Sequence, residues 1–175
     1  MLSNSYLFEA KQTERSRAGI FIIKDNNIII GDATDSSNPY KFKYIIPGGG
    51  IEPGESIIQA CIRESKEEIS VVPKNIKKLI NEPYVKCDLK HHGFKYDCSK
   101  LYYCYGEYGR RDKSVWGTDD GFKTPPKEMS YSEIKDWLKW CINKTRNNVV
   151  SNFKYKADLE MLEKLVKLNI ITKNS

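Results

Sequence analysis

The stretch over residues 47–71, PGGGIEPGESIIQACIRESKEEISV, constrains this 175-residue chain more than any other. Three glycines after Pro47 end the preceding apolar run and permit backbone angles that other residues avoid, so a turn is expected over Gly48, Gly49 and Gly50. Gly54 repeats the punctuation. Ser56, with Gln59 three residues on, has the form of a capping box, which starts a helix there. Ile57, Ile58, Cys61, Ile62 and Ile69 recur at helical spacing and predict its buried side.

The opposite side carries Glu64, Glu67 and Glu68 at i, i+3 and i+4, so three carboxylates share one face. Like charges at i, i+4 cost roughly 0.2–0.5 kcal/mol per pair. They also crowd the C-terminal half of the helix, where the macrodipole disfavours anions by about 0.3–1 kcal/mol each. Arg63 can pair with Glu67 one turn on, but one cation does not balance three anions. A solvated, charged face is the bland account of such a run. A bound divalent cation is the sharper one, because hard cations take carboxylate oxygens and often a backbone carbonyl, which the glycines can supply.

These residues resemble the signature of the Nudix hydrolases, G-x5-E-x7-R-E-U-x-E-E-x-G-U, with U a bulky apolar residue. Gly49, Glu55, Arg63, Glu64, Glu67, Glu68 and Val71 meet it in register. Two positions depart. Ser65 replaces a usual apolar residue and weakens packing; Ser70 replaces the closing glycine and loses an easy left-handed helix end.

The resemblance implies an α/β fold, the Nudix-type α/β/α sandwich with a mixed β-sheet and flanking helices. It implies that Glu64, Glu67 and Glu68 bind Mg²⁺ or Mn²⁺ with help from the Gly49 or Gly48 carbonyl. Glu64 or Glu67 would prepare the nucleophile, and Glu55 would pair with Arg63 to hold the loop on the helix. The implied reaction cleaves a phosphoanhydride bond in a nucleoside diphosphate linked to another moiety. Such a small nucleotide is a nucleoside triphosphate, a nucleotide sugar, ADP-ribose or a dinucleotide polyphosphate. The 5′ end of RNA is a larger substrate for the same chemistry, and a catalytically silent nucleotide-binding module is the alternative of another class.

Composition bounds the rest. Hydrophobic content of 39% and charged content of 30% suit a folded, soluble protein, and the length suits a single domain over residues 1–175. No apolar run approaches the ~18 residues of a membrane span, and the N-terminus lacks a basic-then-apolar leader. The expectation is a cytoplasmic protein with no membrane partner; a homodimer is compatible with it. Five cysteines, odd in number and without a CxxC pair, are expected as unpaired thiols in a reducing compartment. Residues 1–88 balance 12 basic against 12 acidic side chains and residues 89–175 carry 17 against 11, so the whole excess of +6 lies in the second half. That suits a polyanionic substrate, RNA included.

In chain order, strands are expected over 4–9, 17–24, 27–31 and 42–46, with Asp25 and Asn26 as a hairpin turn and a loop over 32–41. Extended structure follows over 76–87 and 101–108, then a loop over 109–127. Ser130 and Glu133 cap a helix to about Asn143, with Ile134, Trp137, Leu138 and Cys141 inward. A last helix over roughly 157–168 buries Leu159, Leu162, Leu165 and Val166.

For the substrate, Arg15 and Arg17 stand where they can reach phosphates or simply face solvent. Tyr84, Phe94, Tyr96 and Trp116 offer ring faces to a base, with Trp116, in a polar loop, the best stacking candidate. Rings at alternating strand positions are more often core than ligand contacts. Asp119 and Asp120 more naturally shape the turn before Gly121 than read a base. Glu107, Glu128 or Glu133 can add a metal ligand, although Glu133 is better explained as a helix cap.

Overall fold

The structure, a computed structural model, describes residues 13–32, 43–114 and 125–173. Two long strands form its spine: β1 (Glu14–Lys24) runs parallel to β7 (Cys98–Arg111), in register from Glu14 opposite Cys98 to Ile23 opposite Glu107. β1 turns back into β2 (Asn27–Asp32) through Asp25 and Asn26, whose φ angles of 48° and 65° are the left-handed pair that a two-residue hairpin needs. β2 also pairs with β3 (Tyr44–Ile45) and β8 (Lys127–Met129). β4 (Gly48–Gly50) takes the edge of β1 that the hairpin leaves open. On the far side, β7 pairs antiparallel with β5 (Val71–Lys78) and β6 (Tyr84–Lys86).

Helices cover both faces of this mixed sheet. Period-two alternation along β1 decides the sides. Ala18, Ile20 and Ile22 join Ala60, Cys61 and Ile69 of α1 (Ile57–Ile69) in one core. Phe21 enters the other, with Ile134, Leu138 and Cys141 of α2 (Tyr131–Lys144) and Met161, Leu162 and Leu165 of α3 (Val149–Lys167). The expected α/β/α sandwich is present.

Some elements differ from the sequence reading. The three glycines form a paired strand, not a turn. β5 starts directly after α1 and passes through Pro73 at a register shift. α3 begins at Val149 because the Asn148 side chain accepts from the Ser151 N–H at 3.0 Å and caps it. Cys87 and Cys98 are joined in a disulfide, correcting the expectation of five thiols. Lys86 pairs with Ser99 in the β6–β7 ladder, which sets the two neighbouring cysteines side by side. Cys61, Cys104 and Cys141 are free and buried. The expected strand over 4–9 and most of the 32–41 loop lie outside the described residues. No helix among those described is long and apolar enough to cross a membrane.

Candidate active site

α1 is started by a complete capping box: the Ser56 hydroxyl accepts from the Gln59 N–H (3.1 Å), and the Gln59 side chain accepts from the Ser56 N–H (2.8 Å). Its inner side departs from the expected one. Ile57, Ile58 and Ile62 are only half-buried; Ser65 is fully buried, as its place on the inner side predicts, and satisfies its hydroxyl on the Cys61 carbonyl (2.7 Å). Glu64 is buried too, at 8% exposure. Ser70 closes the helix in the left-handed region (φ 55°, ψ 36°), a conformation that costs a non-glycine residue about 1–2 kcal/mol. Its hydroxyl offsets part of this by donating to the Ile69 carbonyl (2.6 Å) and accepting from Arg111 Nε (3.0 Å).

The glycine strand explains the burial of Glu64. A Cβ placed on Gly49 would lie 2.2 Å from Glu64 Oε1, so the carboxylate occupies space that only glycine leaves. Gly49 stands opposite Ala18, between the bonds Ile20 N–H to Pro47 O (3.0 Å) and Ile51 N–H to Ser16 O (3.0 Å). In that phase of an antiparallel ladder both polar groups of Gly49 face β1, and those of Gly48 and Gly50 face away. The outward groups meet the helix. Gly48 N–H donates to Glu68 Oε2 (3.2 Å), and the Gly50 carbonyl accepts from Arg63 Nη2 (2.8 Å).

Arg63 ties these parts together. Nε and Nη2 donate to the two oxygens of Glu55 (2.8 and 3.0 Å), and Nη1 donates to Glu64 Oε1 (2.7 Å) and Glu67 Oε2 (3.3 Å). Glu55 accepts also from the Glu52 N–H (2.9 Å). The hydrogen bonds from Arg63 hold the Glu55 carboxyl below its ordinary pKa against the opposing effect of burial, and Glu55 in turn pushes the guanidinium up. Among the described residues no three His, Cys, Asp or Glu side chains converge as a ready-made metal cage. The donor chemistry nevertheless fits a hard divalent ion. Glu64 and Glu68 are turned onto the glycine strand, every donor is an oxygen, and the Gly49 position is kept clear of side chain.

A model of the NUDIX domain matches residues 13–142. The chain belongs to the Nudix family. An ADP-ribose pyrophosphatase of Methanocaldococcus jannaschii is 41% identical over 59 residues, which are 34% of this chain and 33% of that protein, so the match spans about a third of the relative's length. Among solved structures, a NUDIX hydrolase from Nitrosomonas europaea aligns with a TM-score of 0.54 at 22% identity, covering 70% of this chain and 76% of that one. The ORF135 protein of E. coli aligns with a TM-score of 0.55 at 14% identity, covering 90% and 92%. At these identities the likeness is one of fold.

Beside the Nudix carboxylates lies a cavity of about 250 Å³, with Gly48 and Glu68 in its lining. Arg17 lines it as well. Its half-buried guanidinium makes no hydrogen bond or ion pair among the described residues. Burial pushes its pKa down, Arg15 adds to this, and Glu68 and Glu64 oppose it. Arg15 instead sits over the Tyr96 ring at 5.6 Å. Tyr84 packs edge-on against Tyr103 at 6.2 Å, and burial and Glu160 push its hydroxyl up. The rings on the cavity wall are Tyr44, Trp137, Phe153 and Tyr155, none of which the sequence singles out as ligand-facing; Trp137 reads from its spacing as pure core. Trp116, Asp119 and Asp120 lie outside the described residues. Glu107 bonds Asn75 (3.0 Å), Glu128 pairs with Lys24, and Glu133 caps Ser130 (2.8 Å), so each has a structural partner.

Proposed function

We propose that this chain hydrolyses a phosphoanhydride bond in a nucleoside diphosphate linked to a second moiety, with Mg²⁺ or Mn²⁺ as cofactor. The observation that carries the reading is the placement of Glu64 and Glu68 on the glycine strand while Arg63 is bound to Glu55 and Gly50. A merely solvated face would have its carboxylates in water. Glu64, Glu67 and Glu68 hold the ion, joined by the carbonyl of Gly48 in preference to that of Gly49, because the ladder turns Gly49 toward β1. When bound, the ion neutralises phosphate oxygens and lowers the pKa of water. Glu67, whose side chain is 30% exposed against 11% for Glu64, is more open to solvent than Glu64 and takes the proton of the attacking water. Arg63 and Glu55 keep the loop on the helix. Arg17 faces the substrate's phosphates across the cavity.

ADP-ribose is the first substrate to try, since a pyrophosphatase of that name is the curated relative that shares 59 aligned residues. The test is phosphate-product release with Mg²⁺ and with Mn²⁺ across ADP-ribose, nucleoside triphosphates, nucleotide sugars, dinucleoside polyphosphates and a capped RNA. Turnover of one class with either ion supports the reading. A flat response across the panel overturns it in favour of a silent binding module. Capped RNA cleaved as fast as free nucleotides, with a steep loss in salt, would move the assignment to RNA 5′ ends.

A further inference from the structure

The family match ends at residue 142 and α3 begins at Val149, yet α3 supplies one wall of the cavity beside the carboxylates. We propose that Lys154 of α3 and Arg17 of β1 form an anion subsite that takes the phosphate of the nucleotide half entering this cavity. α3 is then a specificity element lying outside the part of the chain that the family model describes. The identity of that phosphate as part of a substrate rests on the hydrolase reading above; the binding itself does not.

The two cations face one space. Both line the 250 Å³ cavity, and both line a narrower recess adjoining it with Tyr103 and Asp158. They arrive there differently. Lys154 Nζ donates to Asp158 Oδ2 (3.0 Å), and the Tyr103 hydroxyl donates to Asp158 Oδ1 (2.6 Å). Asp158 is 1% exposed, so a buried anchor holds the Lys154 side chain on the cavity wall, and an ammonium has three protons to give of which Asp158 takes one.

Among the described residues Arg17 has no such anchor. Asp158 is committed to Tyr103 and Lys154, and Glu68, the carboxylate on the cavity wall, forms no ion pair with Arg17. A guanidinium withdrawn from water without a partner is costly unless a ligand completes it, and its planar fork suits phosphate oxygens. Trp137 lines the same cavity, while its indole N–H is buried and has no acceptor among the described residues. The remaining wall, with Tyr44 and Phe153, is the apolar and aromatic surface that a nucleoside ring fills.

The test uses the full chain treated with chelator, titrated calorimetrically with the four common nucleoside 5′-monophosphates and with the matching nucleosides. At least one monophosphate should bind about tenfold or more tighter than its nucleoside, a preference that shrinks as salt rises. Arg17→Ala and Lys154→Ala should each remove most of that preference, and Lys154→Arg should keep it. Because Lys154→Ala strands a buried carboxylate, the Lys154→Met/Asp158→Asn double variant, which removes both charges, provides the same reading in a neutral background. Equal binding of nucleoside and nucleotide, survival of the preference in the variants, or no monophosphate binding at millimolar concentration each overturns the subsite. These ligands carry no anhydride bond and no metal is present. Failure here therefore leaves the hydrolase reading standing, and a failed turnover panel with intact monophosphate preference overturns the hydrolase reading alone.

Discussion

Alanine placed at each of the three consecutive glycines separates backbone need from site need. A Cβ on Gly50 meets nothing within 4 Å, on Gly49 it meets the Glu64 carboxylate at 2.2 Å, and on Gly48 it meets the Ala18 carbonyl oxygen at 2.6 Å. Ordinary contact begins at 3.4 Å, so in Gly49→Ala the Glu64 oxygen must withdraw by about 1.2 Å. That is affordable for the fold, since the displaced atoms end a flexible side chain. The bond from Arg63 Nη1 to Glu64 is lost or stretched, worth up to about 1.5–3 kcal/mol for a charged pair. Replacing glycine by alanine returns roughly 0.4–1 kcal/mol through the unfolded chain. The net loss of about 1–2 kcal/mol lowers Tm by about 2–8 °C for a chain of this size. Catalysis suffers more, because a 1 Å misplacement of a reacting group costs on the order of 10²-fold. Gly50→Ala should keep both Tm and turnover. Gly48→Ala should unfold at distinctly lower temperature, because its neighbour is backbone and cannot move aside. The assay is kcat on the fastest nucleotide of the panel beside a thermal melt. Wild-type turnover in Gly49→Ala, or equal losses in Gly49→Ala and Gly50→Ala, would refute the packing argument.

Glu67→Gln should lose turnover by at least about 10²-fold, in the range of a missing general base, while its melt stays near wild type; activity close to wild type would remove Glu67 from the mechanism. Glu55 has its folded-state pKa lowered from 4.5 by Arg63, so its contribution, about 2 kcal/mol for charged hydrogen bonds, is full above pH 4.5 and disappears as pH falls through the lowered value. Melts of wild type and Glu55→Gln should therefore differ at pH 7 and converge on acidification, and a gap constant with pH contradicts the pairing. Reducing the Cys87–Cys98 bond, which spans a sequence separation of 11, should cost about 2–3 kcal/mol in denaturant titrations. Cys87→Ser should be blind to reductant; a wild type equally blind to it would show the bond absent.

What could be read from the sequence was what local rules govern. Ser56 and Gln59 fix the start of α1, Ser130 and Glu133 that of α2, and the 3.6-residue period puts the three glutamates on one face. The fate of Glu64 was not local. Its burial depends on Gly49, fifteen positions earlier in the chain, lying in a strand against Ala18, and glycine's weak strand propensity argues for a turn there. The same limit hid the disulfide, since Cys87 and Cys98 meet only through the register of β6 on β7. Lys154 sits in VVSNFKYK, where Val149, Val150 and Phe153 fall at helical spacing but over little more than one turn, and the start of the helix through it is fixed by Asn148 as cap. Trp137 shows the remaining gap: periodicity says that a ring points inward, but not whether the interior there is filled.

The two arginines near the carboxylates make the division of labour explicit. Arg63 spends all three nitrogens on Glu55, Gly50, Glu64 and Glu67, and those partners push its pKa up; a phosphate could claim it only by releasing the loop. Arg17 makes no hydrogen bond or ion pair among the described residues, and burial pushes its pKa down. A guanidinium in the first state gives structure, and one in the second has affinity still to spend. On the proposed reading, the chemistry and its clamp belong to α1 and the glycine strand, inside the residues that the family model matches, and recognition falls to a cavity shared between Arg17 on the sheet and Lys154 on α3. A chain built this way can change what it accepts by altering α3 while its carboxylates stay as they are.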